Sequence, residues 1–136
     1  EDKIWKNWTK HPKSEYLTSK LENGTYSMYH QQYQMALKLF TDIIKEDPKW
    51  AEGWNKRATL LFIMGNYEKS LDDIEKVLDL EPRHFGALSG RAQIYLSYKQ
   101  YEKAIDDLRK AKSIYPLIKS GENIRLIEKI IKEQQI

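Results

Sequence analysis

Apolar positions recur along this chain with helical spacing. From Tyr33 to about Glu46, the residues Ala36, Leu37, Phe40, Ile43 and Ile44 line one face at i, i+3, i+4 intervals, and Pro48 follows as a stop. Leu17, Leu21, Gly24 and Met28 predict a helix from Ser14, a plausible N-cap, to about His30. The same pattern predicts helices over Trp50 to about Met64, Tyr67 to Leu80, His84 to about Tyr98 and Tyr101 to Ile114. In the later pairs the buried faces are Ser70/Ile74/Val77 and Ala104/Leu108/Ala111. A last amphipathic helix, about Glu122 to Gln134, carries Ile124, Ile127 and Ile131, and Leu126 and Ile130 widen its stripe as a broad core-facing surface. At the start, Ile4, Trp5 and Trp8 share one face of a short helix that His11-Pro12 ends.

These helices are copies of one unit. Shifted by 34 residues, Pro48 meets Pro82 and Pro116, Tyr33 meets Tyr67 and Tyr101, Arg57 meets Arg91, and Ala58 meets Ala92. Gly24 falls in the register of those alanines, so a small residue is expected where paired helices approach closely. This register overrides the hairpin signal of Asn23-Gly24. Lys20 stands where later copies have Trp54 and Leu88, both read as core. A self-match of this period predicts an all-α helix-turn-helix solenoid. It divides a single domain of 136 residues into an N-terminal Trp-containing segment (1–13), repeats at 17–50, 51–84 and 85–118, and a capping helix (119–136).

Composition narrows the function classes. Charged residues reach 32%, but the net charge is only +3 with both signs interspersed, unlike the basic stripe of a nucleic-acid binder. Cysteine is absent, which removes disulfides and thiolate metal sites. No apolar run approaches the ~20 residues of a membrane span. His11, His30 and His84 fit no metal-ligand spacing, and the glycines are scattered rather than gathered in a phosphate loop. We therefore expect neither enzyme activity nor any cofactor or metal, and read His84 as packing or capping the third repeat. Asp72/Lys76 and Asp106/Lys110 form a solvated outer surface. Arg57 and Arg91, held between helices, need a carboxylate or carbonyl partner, with their stems over the seam or an anion contact as the two readings.

The marks Trp54, Ala58, Gly65, Tyr67, Ile74, Val77 and Pro82, repeated as Ala92, Tyr95, Tyr101, Ala104, Leu108, Ala111 and Pro116, resemble the tetratricopeptide repeat (TPR). The resemblance covers about residues 17–116 as three repeats. The stretches Ala51–Thr59 and Glu81–Gly90 also look like a group of small bacterial TPR proteins that are commonly exported. The chain opens on Glu1 rather than Met, so an upstream segment is expected to have been removed; export to the periplasm is the expectation, and the cytoplasm the alternative.

The TPR resemblance implies a concave face lined by the first helix of each repeat, and a protein or peptide as ligand. The lining expected here is Thr25, Met28 and Tyr29 from the first repeat, Glu52, Asn55, Thr59 and Phe62 from the second, and Ser89, Gln93 and Leu96 from the third. Hydroxyls and amides would bond a peptide backbone, with Met28, Tyr29 and Phe62 as apolar anchors. The C-terminal helix filling part of that groove is the alternative. TPR domains that clamp a terminal carboxylate use Lys, Asn and Arg at places where this chain has Leu21, Thr25, Lys56, Gly86 and Gly90, so a carboxylate clamp is not expected. A monomer or weak homodimer is expected. The competing reading is a self-assembling subunit that uses Trp5, Trp8 and the Leu126/Ile130 edge.

Overall fold

The computed structural model describes residues 8–116 and 121–134. Seven helices run in full through the described residues: α1 (Glu15–Tyr29), α2 (Tyr33–Glu46), α3 (Ala51–Ile63), α4 (Tyr67–Leu80), α5 (Phe85–Ser97), α6 (Tyr101–Ile114) and α7 (Gly121–Gln134). No strand occurs among the described residues. Each helix expected from Ser14 onward is present, with ends within about a residue of the pattern. The expected side chains Ile4 and Trp5 lie outside the described residues, as does the junction near 118. Contacts divide the chain into two compact units, Glu1–Leu80 and Glu81–Ile136. In the first, α1 packs on α2, α2 on α3 and α3 on α4; in the second, α5 packs on α6 and α6 on α7.

The turn inside each hairpin is the same chemical object three times over. Gln31, Gly65 and Lys99, one repeat apart, adopt left-handed φ angles of 62°, 81° and 59°. Their N–H groups donate to Met28, Phe62 and Leu96 carbonyls at 3.2, 2.9 and 3.0 Å. The next N–H groups, of Gln32, Asn66 and Gln100, donate to Ser27, Leu61 and Tyr95 at 2.8 Å each. This double bond pattern satisfies the carbonyls that a helix end leaves open. The carbonyls of Gln32, Asn66 and Gln100 then accept from Ala36, Ser70 and Ala104, which starts the next helix at once.

Between hairpins, Pro48 and Pro82 sit in turns closed by the N–H of Trp50 on the Asp47 carbonyl and of His84 on Glu81. Proline presets φ for that turn position. His84 is fully buried, and its Nδ1 accepts from the Ala87 N–H at 3.0 Å, so it caps α5 as expected. Ser14 caps α1 in the same way, accepting from Leu17 at 3.1 Å.

Small residues set the spacing within each pair. Gly24 continues α1 as helix, and a Cβ there would lie 2.5 Å from Cε1 of Phe40. Phe40 joins Leu17, Leu21, Met28, Ala36, Ile43, Trp50 and Leu60 in one core cluster. In α4 the buried Ser70 hydroxyl donates across the hairpin to the Ala58 carbonyl at 2.7 Å. The second unit closes around Ala92, Ala104, Ile105, Leu108, Ile124 and Ile127.

Two sequence expectations change. Leu126 does not face the core: it is 59% exposed, while Ile130 is half-buried, because the Ile124/Ile127 stripe is the side of α7 that joins the core cluster. Trp54 is only half-buried, unlike its counterpart Leu88; its indole N–H donates to the Pro48 carbonyl at 2.8 Å and the Arg57 guanidinium lies 5.2 Å over its ring.

Arg57 takes a carboxylate partner within its own hairpin. Its Nε and Nη2 donate to the two oxygens of Asp73 at 2.7 and 2.9 Å, and Arg91 does the same with Asp107 at 2.8 Å for both bonds. The two pairs are forks of planar donors on planar acceptors, with the acids buried. In the first repeat the matching places hold Asn23 and Leu39, so both partners are lost together.

The segment before α1 is fastened to the α2–α3 turn. The Trp50 indole N–H donates to the Trp8 carbonyl at 3.2 Å, and His11 meets the Trp50 ring edge-on. His11 Nδ1 accepts from the Lys13 N–H, so its Nε2–H donates to Asp47 at 2.5 Å. That bond holds the Asp47 carboxyl below its ordinary value, with the Lys49 N–H adding to the effect and partial burial opposing it.

Three outcomes are expected. Arg57→Ala, which strands a buried carboxylate, should destabilise by about 3 kcal/mol, whereas Arg57→Met with Asp73→Leu should recover most of that loss in urea denaturation. Gly65→Ala should cost about 1 kcal/mol and Lys99→Gly should gain about 0.5 kcal/mol, measured in the same way. Because the folded pKa of Asp47 is depressed, its contribution is present above the unfolded value of about 3.9 and fades as pH falls through the folded value. The stability difference between the parent and Asp47→Asn, below about 1 kcal/mol at neutral pH, should shrink as pH falls below the unfolded value of about 3.9.

Candidate functional site

In the first unit, α1 and α3 place their matching positions side by side. Thr25 and Thr59 stand in the same register, as do Tyr29 and Ile63. Tyr29 is 71% exposed and Ile63 45%, Thr59 is exposed, and Thr25 and Phe62 are half-buried. Phe62 is braced by the Tyr67 ring at 5.1 Å. Both threonine hydroxyls donate into their own helix, Thr25 to the Leu21 carbonyl at 2.8 Å and Thr59 to Asn55 at 3.1 Å.

Beneath this surface lies a closed layer. Met28 is 2% exposed and belongs to the core cluster, so it is no anchor for a ligand; it continues the inward stripe of Leu17, Leu21 and Gly24. Glu52 is 1% exposed, and the Asn55 amide, itself buried, donates to its carboxylate at 3.0 Å. That pair satisfies polar groups inside the fold instead of facing outward. Of the first unit's expected lining, the structure brings Thr25, Tyr29, Thr59 and Phe62 to the surface and withdraws Met28, Glu52 and Asn55.

In the second unit, Gln93 is exposed and Ser89 is half-buried, with an Oγ that has no hydrogen-bond partner among the described residues. Leu96 is half-buried and packs against the core cluster of the second unit.

Ile63 shares the register of Tyr29 and belongs to the same surface. Reading the sequence alone missed one feature. Asp73 and Asp107, the partners of the arginines, each follow their arginine by 16 residues. That recurring Arg…Asp spacing was the available signal, and the neighbouring Asp72 and Asp106, which are exposed, drew attention away from it.

The three histidines have structural occupations. His84 is a cap, His11 bonds Asp47, and His30 stacks on Tyr26 with ring centroids 3.8 Å apart. Among the described residues no group of three or more His, Asp or Glu could hold a metal ion, and no helix is long and apolar enough to cross a membrane. An open depression of about 480 Å³ between α2, α3 and α4 is lined by Leu37, Trp54, Leu61 and Lys76 among others, but its Arg57 and Asp73 are consumed by each other.

Models of the tetratricopeptide repeat match residues 51–84 and 86–116. A TPR repeat-containing protein of Rhizobium etli is 60% identical over 53 residues, 39% of this chain and 26% of that protein. The Hsp70-Hsp90 organizing protein 1 of Glycine max is 34% identical over 61 residues, 45% of this chain and 11% of that protein. The chain thus matches about a quarter of the first relative's length and about a ninth of the second's. Among solved structures, the first TPR of Spaghetti (RPAP3) bound to the HSP90 peptide SRMEEVD superposes with a TM-score of 0.81 at 20% identity, covering 90% of this chain and 98% of that one. The Sgt2 TPR domain of Aspergillus fumigatus gives 0.80 at 18% identity, covering 90% and 83%. The fold is therefore the all-α tetratricopeptide-repeat fold, and residues 51–84 and 86–116 of this chain are tetratricopeptide repeats.

Proposed function

We propose that this chain is a non-enzymatic, protein-binding TPR module that takes a peptide segment on the face of α1 and α3. Gln93 of α5 offers the corresponding surface position in the second unit. The observation that carries this reading is the pairing of Tyr29 and Ile63, both well exposed, beside Thr25, Thr59 and Phe62, over a layer whose own polar groups are already paired. Exposed aromatic and aliphatic groups on a rigid floor supply contact area with little entropy to lose. Support also comes from the neighbour of like fold that is bound to a peptide of HSP90, and from the Glycine max relative, whose name is that of an Hsp70-Hsp90 organizing protein.

The test is a selection from a peptide library on the immobilised chain, followed by titration of the recovered peptides. Tyr29→Ser and Phe62→Ser should each weaken binding by about tenfold, whereas Asp72→Ala, on exposed α4, should leave it unchanged. Equal affinity for the parent and both face variants would remove the reading.

A further inference from the structure

We infer that the α1–α3 face selects a polypeptide segment by the hydrogen bonds the segment donates, and discriminates against acidic ligands. The inference rests on the peptide-binding reading above and names the chemistry of its partner. Each of Thr25 and Thr59 has one hydroxyl proton, and both protons are committed to carbonyls of their own helices. What they turn toward a ligand is lone pairs, so a partner must bring N–H groups to them.

The chain contains a working example of this contact. Thr18 lies seven residues before Thr25 on α1, and its hydroxyl donates to the Ser14 carbonyl at 3.2 Å, the same i−4 arrangement. Its Oγ1 accepts the backbone N–H of His11 at 2.8 Å, from a non-helical stretch laid against the helix. His11 therefore meets α1 as one residue of a bound segment would: its backbone N–H goes to a threonine that has already spent its own proton. Thr25 and Thr59 repeat the acceptor without that segment's N–H.

Two of the cations on these helices are already engaged. Lys20 on α1 is engaged by the Tyr16 hydroxyl at 3.1 Å and lies within 3.9 and 3.7 Å of Asp42 and Glu46, and Arg57 on α3 is held by Asp73. Glu22 is exposed on α1, and on α3 Lys56 is half-buried. An acidic segment would set carboxylates against acceptor oxygens, which costs desolvation that no bond returns. A segment with free N–H donors and aliphatic side chains satisfies both threonines and covers Tyr29, Phe62 and Ile63.

The experiment uses two pools of N-acetylated, C-amidated peptides with identical aliphatic and aromatic positions, one filled with Asn, Gln and Lys and the other with Asp and Glu. SRMEEVD, as free acid and as amide, is a third probe. The donor-rich pool should bind and the acidic pool and SRMEEVD should not. Thr25→Val and Thr59→Val, which keep the side-chain shape, should each weaken the best donor peptide about fivefold, with circular dichroism confirming unchanged helix content. N-methylation of that peptide, one backbone position at a time, should cost a similar factor at the positions that meet a threonine. At those positions it should cost nothing further in the matching valine variant. Preference for the acidic pool, or tighter binding of SRMEEVD as acid than as amide, would overturn the inference while leaving the face as a binding site. So would threonine variants without effect on a peptide that still depends on Tyr29. Failure of every probe, or indifference of binding to Tyr29→Ser, would sink the peptide-binding reading itself.

Discussion

Everything in this fold depends on two helices lying close enough for backbone to meet side chain. At Gly24 the Phe40 ring occupies the space a methyl group would need, and the later hairpins put Ala58 and Ala92 at the same place. Close approach is reachable only if the chain reverses within three residues, and the left-handed Gln31, Gly65 and Lys99 provide that reversal. Once the helices are that near, other interactions become available. The Ser70 hydroxyl reaches the Ala58 carbonyl, and each arginine of α3 and α5 reaches an aspartate on the facing helix.

The same closeness decides which polar groups are spent. Arg57, Arg91, Asp73 and Asp107 are natural candidates for ligand contacts by residue type, yet each is consumed inside its own hairpin. Glu52 and Asn55 form a buried pair. Each of these groups is thus internalised, and Thr25, Tyr29, Thr59, Phe62 and Ile63 on α1 and α3 offer hydroxyl oxygens and hydrocarbon. The selectivity of this face follows from that remainder.

Much of the architecture was legible in the residues. Helix positions followed from apolar spacing, and the override of the Asn23-Gly24 turn signal by the repeat register is matched by a continuous α1. His84 as a cap was also readable, because it precedes an apolar-patterned run directly after a proline turn. Exposure of individual side chains was harder. Leu126 reads as core by its place in an isoleucine-rich stripe, and Trp54 reads as core by its register with Leu88, but α7 turns Ile124 and Ile127 inward instead and Trp54 is half-buried beneath the Arg57 guanidinium.

By itself the sequence determined the number of hairpins, their period and the faces they bury, since each of these is a local or periodic property of apolar positions. Only tertiary structure decided which polar groups have partners. Met28 and Tyr29 are adjacent in sequence, and one is sealed in the core while the other stands in solvent, because 100° of helical rotation separates them and a neighbouring helix covers one side only. Arg57 finds Asp73 rather than a ligand because the hairpin brings together residues sixteen apart. Hydrogen bonds and ion pairs of this kind are set by distances of a few tenths of an ångström between elements; a recurring spacing such as Arg…Asp names a candidate pair, and the packing of the hairpin makes it.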